Sequence, residues 1–162
     1  MPGKMITDGI GELEKKLQEM EDETAHNIAA AALYEGAGVM ADAINTAVQG
    51  IVTEPFRYAA GGRKRYPSPE EKAILEQADK GVAKFRDDGG TIETSVGLQS
   101  SGYGNLAGRR KPIPLIANAI NSGTSFMSKQ PFYRRATSQA KGPALSRIED
   151  KLREEINKLS ID

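Results

Sequence analysis

The stretch from residue 28 to residue 51 repeats apolar side chains at three- and four-residue steps in an alanine-rich background. Alanine has the highest intrinsic helix propensity, and this spacing places the apolar side chains on one face of a helix. The small alanine side chains favour burial of that helix. We therefore predict a long, largely buried helix with the apolar positions Ile28, Leu33, Val39 or Met40, Ile44, Val48 and Ile51.

A shorter amphipathic pattern precedes this helix. Leu13, Leu17 and Met20 recur at helical spacing between charged residues. Asp8 is a suitable N-cap for the helix that they predict. The polar residues 21–24 separate the two patterns, so one long bent helix and two separate helices remain alternatives.

A further helix is predicted to begin after residue 67. Ser68 is an N-cap residue, and Glu71 completes a Ser-x-x-Glu capping box. Pro69 occupies the first helical position, where its missing N–H group costs nothing. Gly81 is a suitable stop for this helix.

Residues 91–98 predict a half-buried strand. Ile92, Val96 and Leu98 lie on one face, because successive side chains of a strand point to opposite sides. The preceding residues 88–90 are typical of a turn.

The C-terminal third predicts two more apolar elements. Residues 115–120 repeat apolar side chains between Pro114 and Gly123, which favours a short helix, with a strand as the alternative. A heptad-like pattern then predicts a final helix with the apolar positions Leu145, Ile148, Leu152, Ile156 and Leu159. The Gly-Pro pair at 142–143 either starts this helix or kinks a longer one that begins near Pro131.

These patterns predict one α+β domain over residues 1–162, with a long N-terminal helix or helix pair and a C-terminal helix packed on a small antiparallel sheet. Two segments, about 54–67 and 99–112, are rich in glycine, proline or basic residues and predict long, flexible surface loops. The loops carry two basic clusters, Arg63, Lys64 and Arg65 in the first and Arg109, Arg110 and Lys111 in the second.

The bulk composition argues against several functional classes. Lys+Arg and Asp+Glu both number 22, so no net field draws the chain to nucleic acid or to an anionic membrane. The absence of cysteine removes disulfides, thiolate nucleophiles and Cys-ligated zinc. Aromatic residues make up 6% of the chain, which leaves little material for base-stacking platforms. Residues 1–11 lack a signal-peptide pattern and no apolar run is long enough to cross a bilayer, so we expect no membrane partner and no classical export.

Motifs for catalysis are weak. Residues 36–41 match the G-x-G-x-x-A string of dinucleotide-binding folds, but they lie inside a predicted helix, where small residues favour close helix packing instead. His26, the single histidine, has no metalloprotease or serine-hydrolase motif to accompany it. The carboxylate pairs at 87–88 and 154–155 are typical of a turn and of a solvated helix face. We therefore predict a non-enzymatic protein with no catalytic, cofactor-binding or metal-binding residues and no cofactor.

The basic clusters are stronger candidates for function, because cations in loops are typical of contacts with phosphate backbones. The zero net charge and the scarcity of aromatic residues nevertheless favour protein contacts or solubility over nucleic acid. A nucleic-acid-binding module that acts through the basic loops is the alternative, and Tyr58, Tyr66 and Tyr103 near these loops support it.

The string at residues 114–136, PLIANAINSGTSFMSKQPFYRRA, resembles the signature of small neck or tail-completion proteins of long-tailed bacteriophages. In that family a Gly-Thr-Ser turn is followed by a Pro-Phe helix start. Three further segments fit the resemblance in order, 9–17, 67–72 and 85–90 leading into 96–97, so the matching segments are spread over residues 9–136. The chain departs from the family pattern at Asn121, where an acidic residue is frequent, and at 133–135, where a proline often follows the arginine.

The resemblance implies a virion structural protein, a small α+β subunit that forms a ring, six-fold in the virion, at the junction between the DNA-filled head and the tail. It implies as partners other copies of the chain, a head-closure protein and a tail terminator or tail tube protein, with assembly in the cytoplasm of the bacterial host. The basic loops then face either an acidic neighbour, which we favour for at least one of them, or DNA in the channel. The candidate interface residues are Gly123, Thr124, Ser125, Pro131 and Phe132.

Overall fold

The computed structural model describes residues 10–20, 22–55, 63–88, 91–98 and 102–159. The helices in these ranges are α1 (Ile10–Gln18), α2 (Asp22–Gln49), α3 (Pro69–Gln77), α4 (Ile113–Ser122) and α5 (Phe132–Leu159). The strands are β1 (Lys80–Val82), β2 (Arg86–Asp88), β3 (Thr91–Glu93), β4 (Val96–Leu98), β5 (Tyr103–Leu106) and β6 (Arg109–Pro112). The predicted α+β fold class is confirmed, with the C-terminal helix packed on the sheets.

The two longest helices, α2 and α5, form an antiparallel pair at the centre of the fold. Each has 28 residues, which corresponds to a length of about 42 Å. A Cβ atom at Gly36 would lie 2.5 Å from Ile148 Cγ1 and 3.3 Å from the Ala144 carbonyl oxygen, so only glycine fits this contact without a shift. At Gly38 a Cβ would meet nothing within 4 Å. The interpretation of residues 36–41 as a helix-packing string is therefore confirmed at its first glycine.

Two apolar clusters lie at opposite ends of this helix pair. The smaller cluster packs α1 against the beginning of α2 and the end of α5, and its buried residues are Leu13, Ile28, Ala32, Leu152 and Ile156. The larger cluster joins the end of α2 and the beginning of α5 to α3 and α4. Its largest buried side chains are Phe132, Leu75, Ile120 and Val48.

The N-terminal segment resolves one of the alternatives left by the sequence. α1 ends at Gln18 and α2 begins at Asp22, so the two patterns form two helices and not one. Leu13 is buried and Leu17 is half-buried against the smaller cluster, as their spacing predicts. The suggested N-cap Asp8 lies outside the described residues.

The predicted capping box of α3 is confirmed in both directions. The Glu71 N–H donates to the Ser68 hydroxyl over 3.2 Å, and the Ser68 N–H donates to the Glu71 carboxylate over 2.8 Å. The predicted stop at Gly81 is wrong. The helix ends at Gln77 because Ala78 is already extended, and Gly81 belongs to β1.

The expectation of one continuous strand over residues 91–98 is wrong. The strands in the described ranges form three two-stranded antiparallel sheets, β1–β4, β2–β3 and β5–β6, and residues 91–98 are divided between the first two. Between those two ladders the Thr94 hydroxyl donates to the Ala83 carbonyl oxygen over 2.8 Å. The predicted alternation is confirmed, and the half-buried residues on the inward face are Ile92, Val96 and Leu98.

The prediction of a loop over residues 99–112 is wrong for the part that the structure describes. β5 and β6 form a hairpin, and Gly104 lies so close to α3 that a Cβ there would be 2.6 Å from Ile74 Cγ2. The connecting residues Ala107 and Gly108 have φ angles of 50° and 78°, as in a two-residue turn with two left-handed residues. Ala-Gly is not a usual dipeptide for this turn, so the sequence carries no strong hairpin signal here.

The C-terminal third follows the helical alternatives. α4 covers residues 115–120 and ends at Ser122, and the following Gly123 has a φ of 76°, which suits glycine. α5 runs from Phe132 to Leu159 with Pro143 inside it, so the longer helix is confirmed. Leu159, which the pattern placed on the apolar face, is exposed.

Replacing Gly36 with alanine should destabilise the fold by about 1–3 kcal/mol, because the new methyl group overlaps Ile148 and forces the two helices apart. The same change at Gly38, where a methyl group meets open space, should stabilise the fold by about 0.4–1 kcal/mol through helix propensity and chain entropy. Urea unfolding of the two variants measures both effects, and equal midpoints would contradict the role given to Gly36.

Candidate functional site

Residues 122–131, called the α4–α5 turn below, are held by their own polar groups. The Thr124 hydroxyl accepts hydrogen bonds from the N–H groups of Phe126 (3.3 Å) and Met127 (3.0 Å). The Thr124 N–H donates to the Met127 carbonyl oxygen over 2.9 Å. Met127 is buried beneath the turn, whereas the Phe126 side chain is 57% exposed. The turn therefore holds an aromatic side chain outward from a fixed backbone.

Gln130 connects the α4–α5 turn to the segment that follows α2. Its side-chain amide accepts a hydrogen bond from the Val52 N–H and donates one to the Val52 carbonyl oxygen, each over 2.8 Å. This arrangement satisfies the backbone of Val52 in the way that a neighbouring strand would. Gln130 is buried, and its own N–H donates to the Ile120 carbonyl oxygen over 2.7 Å.

The segment around Arg65 pairs with the same turn. The Arg65 N–H donates to the Phe126 carbonyl oxygen, and the Ser128 N–H donates to the Arg65 carbonyl oxygen, each over 2.9 Å. The Arg65 guanidinium forms two 2.9 Å hydrogen bonds with the Glu71 carboxylate, and both side chains are 11% exposed. Because Glu71 also caps α3, this ion pair joins the turn to a helix.

Burial and ion pairing have opposite effects on the pKa values of Arg65 and Glu71. Burial by itself raises the pKa of the Glu71 carboxyl, but hydrogen bonds from Arg65 and Ser68 and the charges of Arg65 and Lys111 outweigh it, so the pKa lies below its ordinary value. The hydrogen bond to Glu71 raises the pKa of Arg65 against the effect of burial. Both groups are therefore charged at neutral pH. Lys111 lies opposite Gly104 in the β5–β6 hairpin, and Gly104 contacts Ile74, so the second basic cluster lies close to the helix that Glu71 caps.

Gly123, Thr124 and Ser125, three of the five candidate interface residues, line the same surface depression as Lys64 of the first basic cluster. An open polar depression of about 650 Å³ lies against the α4–α5 turn. Its lining residues are Lys64, Ser122, Gly123, Thr124, Ser125, Ser128 and Lys129. The structure thus brings two lysines and several hydroxyl groups together, although Lys64 is far from the turn in sequence.

The other two candidate interface residues lie deeper. Phe132 is fully buried in the larger apolar cluster and packs beside Tyr133, with their ring centroids 4.4 Å apart. This position contradicts the prediction that Phe132 belongs to an interface, because its side chain has no surface left for a partner. Pro131 is half-buried at the start of α5. Phe126, which the sequence did not single out, is the exposed aromatic residue of the turn.

The first basic cluster is largely neutralised within the subunit. Arg63 pairs with Glu54 at 2.7 Å, and Arg65 pairs with Glu71. Lys64 is exposed and has no carboxylate partner in the described ranges. Residues 56–62 of the predicted loop at 54–67 lie outside those ranges.

The second basic cluster has a different environment. Arg109, Arg110 and Lys111 occupy β6, and all three are exposed. The Arg110 guanidinium lies 4.8 Å from the centre of the Tyr103 ring, a cation–π contact across the hairpin. None of the three forms a carboxylate ion pair with any residue that the structure describes. We define the basic surface as the exposed cations Lys64, Arg109, Arg110, Lys111, Lys129, Arg134 and Arg135.

A local charge count would have found most of this surface. Residues 94–148 contain eight Lys or Arg residues and no Asp or Glu. A count over the whole chain conceals this run, because the balancing carboxylates lie elsewhere in the sequence.

An apolar groove lies beside the helix pair. It measures about 310 Å³ and is formed by α2, α5 and β4. The residues that line it are Leu33, Gly36, Ala37, Met40, Ile44, Thr94, Val96, Tyr133, Thr137, Ala144 and Ile148. Tyr133 is half-buried at the groove, and burial raises the pKa of its hydroxyl against the opposite effect of the Leu98 backbone.

Two observations concern the remaining titratable residues that the structure describes. His26 Nδ1 lies 3.3 Å from Asp87 Oδ2 on a partly exposed surface between α2 and β2. Within the described ranges no three His, Asp or Glu side chains converge as metal ligands would. None of the helices there combines the length and the apolar character needed to traverse a bilayer.

Comparisons of the chain with protein-family models, with curated proteins and with solved structures give no match. We therefore infer function from the α4–α5 turn, the apolar groove and the basic surface, together with the sequence resemblance.

The Arg65–Glu71 pair predicts a pH-dependent contribution to stability. Glu71→Gln keeps an oxygen acceptor for the Ser68 N–H but removes the charge, so the free energy of unfolding at neutral pH should fall by about 3 kcal/mol. Since the pKa of Glu71 is lowered by folding, the wild-type advantage should be present above the ordinary carboxyl pKa and be lost as the pH falls through the folded value.

Denaturant titrations at neutral and acidic pH measure this difference. Glu70→Gln, an exposed change in the same helical turn, is the matched control and should stay within about 0.5 kcal/mol of the wild type. A Glu71→Gln penalty that is unchanged at acidic pH would show that the ion pair is not its source.

Proposed function

We propose that this chain is a non-catalytic virion structural protein at the head–tail junction of a long-tailed bacteriophage. Copies of the chain assemble into a ring, six-fold in the virion, that connects the head to the tail or completes the tail. The partners are a head-closure protein and a tail terminator or tail tube protein, and assembly takes place in the host cytoplasm. The resemblance of residues 114–136 supports this proposal.

The outward position of Phe126 is the observation that carries the proposal. Leaving a large apolar side chain in solvent forgoes about 1.5–3 kcal/mol of burial free energy. The backbone of Phe126 is fixed by bonds to Thr124 and Arg65, so little chain entropy is lost when a partner covers the ring. Exposed aromatic side chains on a fixed backbone are typical anchors of protein interfaces.

A ring needs two different, complementary surfaces on each subunit. The apolar groove supplies a second surface that suits Phe126, because it is lined mainly by aliphatic side chains and its volume admits an aromatic ring. Phe126 lies at the end of the helix pair that holds the larger cluster, whereas the groove runs along the side of the pair. We therefore assign Phe126 of one copy to the groove of the next, a contact that repeats around a ring.

Two substitutions on these surfaces test the assembly. Phe126→Asp removes the anchor, and Thr137→Arg places a bulky charge at the exposed rim of the groove. Each variant alone should be monomeric, whereas the wild type forms larger particles. An equimolar mixture should form dimers, because each variant keeps one intact surface. Size-exclusion chromatography with light scattering measures the masses, and negative-stain images show whether wild-type particles are rings.

Leu159→Asp is the matched control, because it removes an exposed apolar side chain remote from both surfaces and should leave assembly unchanged. Wild-type-sized particles from both single variants would contradict the assigned contact. A wild-type chain that stays monomeric and binds neither the head-closure protein nor the tail tube protein would contradict the proposed function itself.

A further inference from the structure

The basic surface groups seven exposed cations that form no ion pair with any carboxylate in the described ranges. Cations elsewhere are commonly paired, as in Arg63–Glu54, Arg147–Glu35 and Arg153–Glu149. By contrast, no cation of the basic surface has a carboxylate oxygen within 4.0 Å among the residues that the structure describes. Exposed cations without internal partners are free to meet an external anion.

These cations gather at one end of the helix pair. Lys64 and Lys129 face the same polar depression, and Lys111 acts on the Glu71 carboxylate that Arg65 binds. Arg134 and Arg135 lie in the first turn of α5, directly after the α4–α5 turn. The basic surface is therefore assembled from four segments that are separate in sequence.

An acidic segment lies at the other end of the helix pair, whereas Glu71 and Glu76 of α3, at the same end as the basic surface, are paired with Arg65 and Lys72. Residues 10–35 contain seven Asp or Glu and two Lys, and this range includes α1 and the beginning of α2. Most of the length of the helix pair, about 42 Å, separates the two ends, whereas charges are screened over about 8 Å at physiological salt. The zero net charge therefore does not describe the field near the basic surface, which is locally positive.

The groups beside these cations indicate the chemistry of the anion. Ser122, Ser125 and Ser128 line the same depression as Lys64 and Lys129. Contacts to nucleic-acid backbones combine Arg and Lys with hydroxyl and main-chain donors in this way. The β5–β6 hairpin is a two-stranded ribbon, an element narrow enough to enter the major groove of a duplex.

We propose that the basic surface binds the phosphate backbone of duplex DNA without sequence preference. Hydroxyl donors and a tyrosine–arginine pair beside the cations favour this partner over an acidic protein, for which cations alone would suffice. The inference goes beyond the structural role proposed above and does not depend on ring formation. If the chain assembles but does not bind DNA, this inference is wrong and the proposed structural role is unaffected.

Fluorescence anisotropy with labelled duplexes of about 20 base pairs and two unrelated sequences tests the inference. The wild-type chain should bind both with equal affinity, and log K should fall linearly with log salt between about 50 and 200 mM. The triple variant R109Q/R110Q/K111Q should bind at least about tenfold more weakly, with a salt slope reduced by about one for each lost phosphate contact. The double variant K64Q/K129Q tests the depression separately and should also weaken binding.

The control K15Q/K16Q/K84Q removes three exposed cations outside the basic surface and should bind like the wild type. Thermal unfolding shows that each variant is folded. The inference is overturned if the wild type does not shift either duplex at low salt, or if the control loses as much affinity as the triple variant. Binding to polyglutamate but not to duplex DNA also overturns it, and would assign the surface to an acidic protein.

Discussion

The close packing of α2 on α5 is the contact on which the rest of the structure depends. Gly36 lets the two backbones approach, since any side chain at this position would overlap Ile148. Small residues along the pair, including Ala32, Ala37 and Ala144, keep the spacing short over its length. Both apolar clusters form where other elements cover the ends of this pair, so its geometry determines where α1, α3 and α4 can dock.

Polar contacts hold together the segments that lie outside the helices and sheets. The segments that contain Val52, Arg65 and Phe126–Gln130 lie side by side without forming a sheet, and their backbone groups are satisfied by the Gln130 amide and by an isolated bridge. The Arg65–Glu71 pair anchors this arrangement to α3. Because removing one partner of such a pair leaves a partly buried charge uncompensated, the network resists local rearrangement. The backbone of the α4–α5 turn, which carries Phe126 and lines the polar depression, is therefore held in place.

The distribution of charge decides which partners the molecule can meet. A chain with equal numbers of positive and negative residues is neutral as a whole, yet cations without a carboxylate partner among the described residues collect at one end of a helix pair that is longer than the screening length. Each end therefore presents its own field. The proposed assembly contact uses apolar surfaces and the proposed DNA contact uses the basic surface, so the two roles do not compete for the same side chains.

The sequence alone determined the apolar faces of the helices and several of their starts and stops, where these depend on neighbouring residues. The capping box at Ser68, the end of α4 before Gly123 and the apolar face of α2 all arise from contacts within a few residues, which a linear pattern records. The division of residues 91–98 between two sheets and the β5–β6 hairpin were not predictable in this way, because they depend on which distant segment lies alongside.

The same distinction applies to the candidate site. The sequence singled out Gly123, Thr124, Ser125 and the basic clusters, but it did not show that Lys64 lies beside the turn, that Arg65 is neutralised, or that Phe132 is buried. Those facts follow from the path of the chain in space. Residues as far apart in sequence as Val52 and Gln130 meet because α2 and α5 pack together, so tertiary structure alone decided which of the predicted residues remain available to a partner.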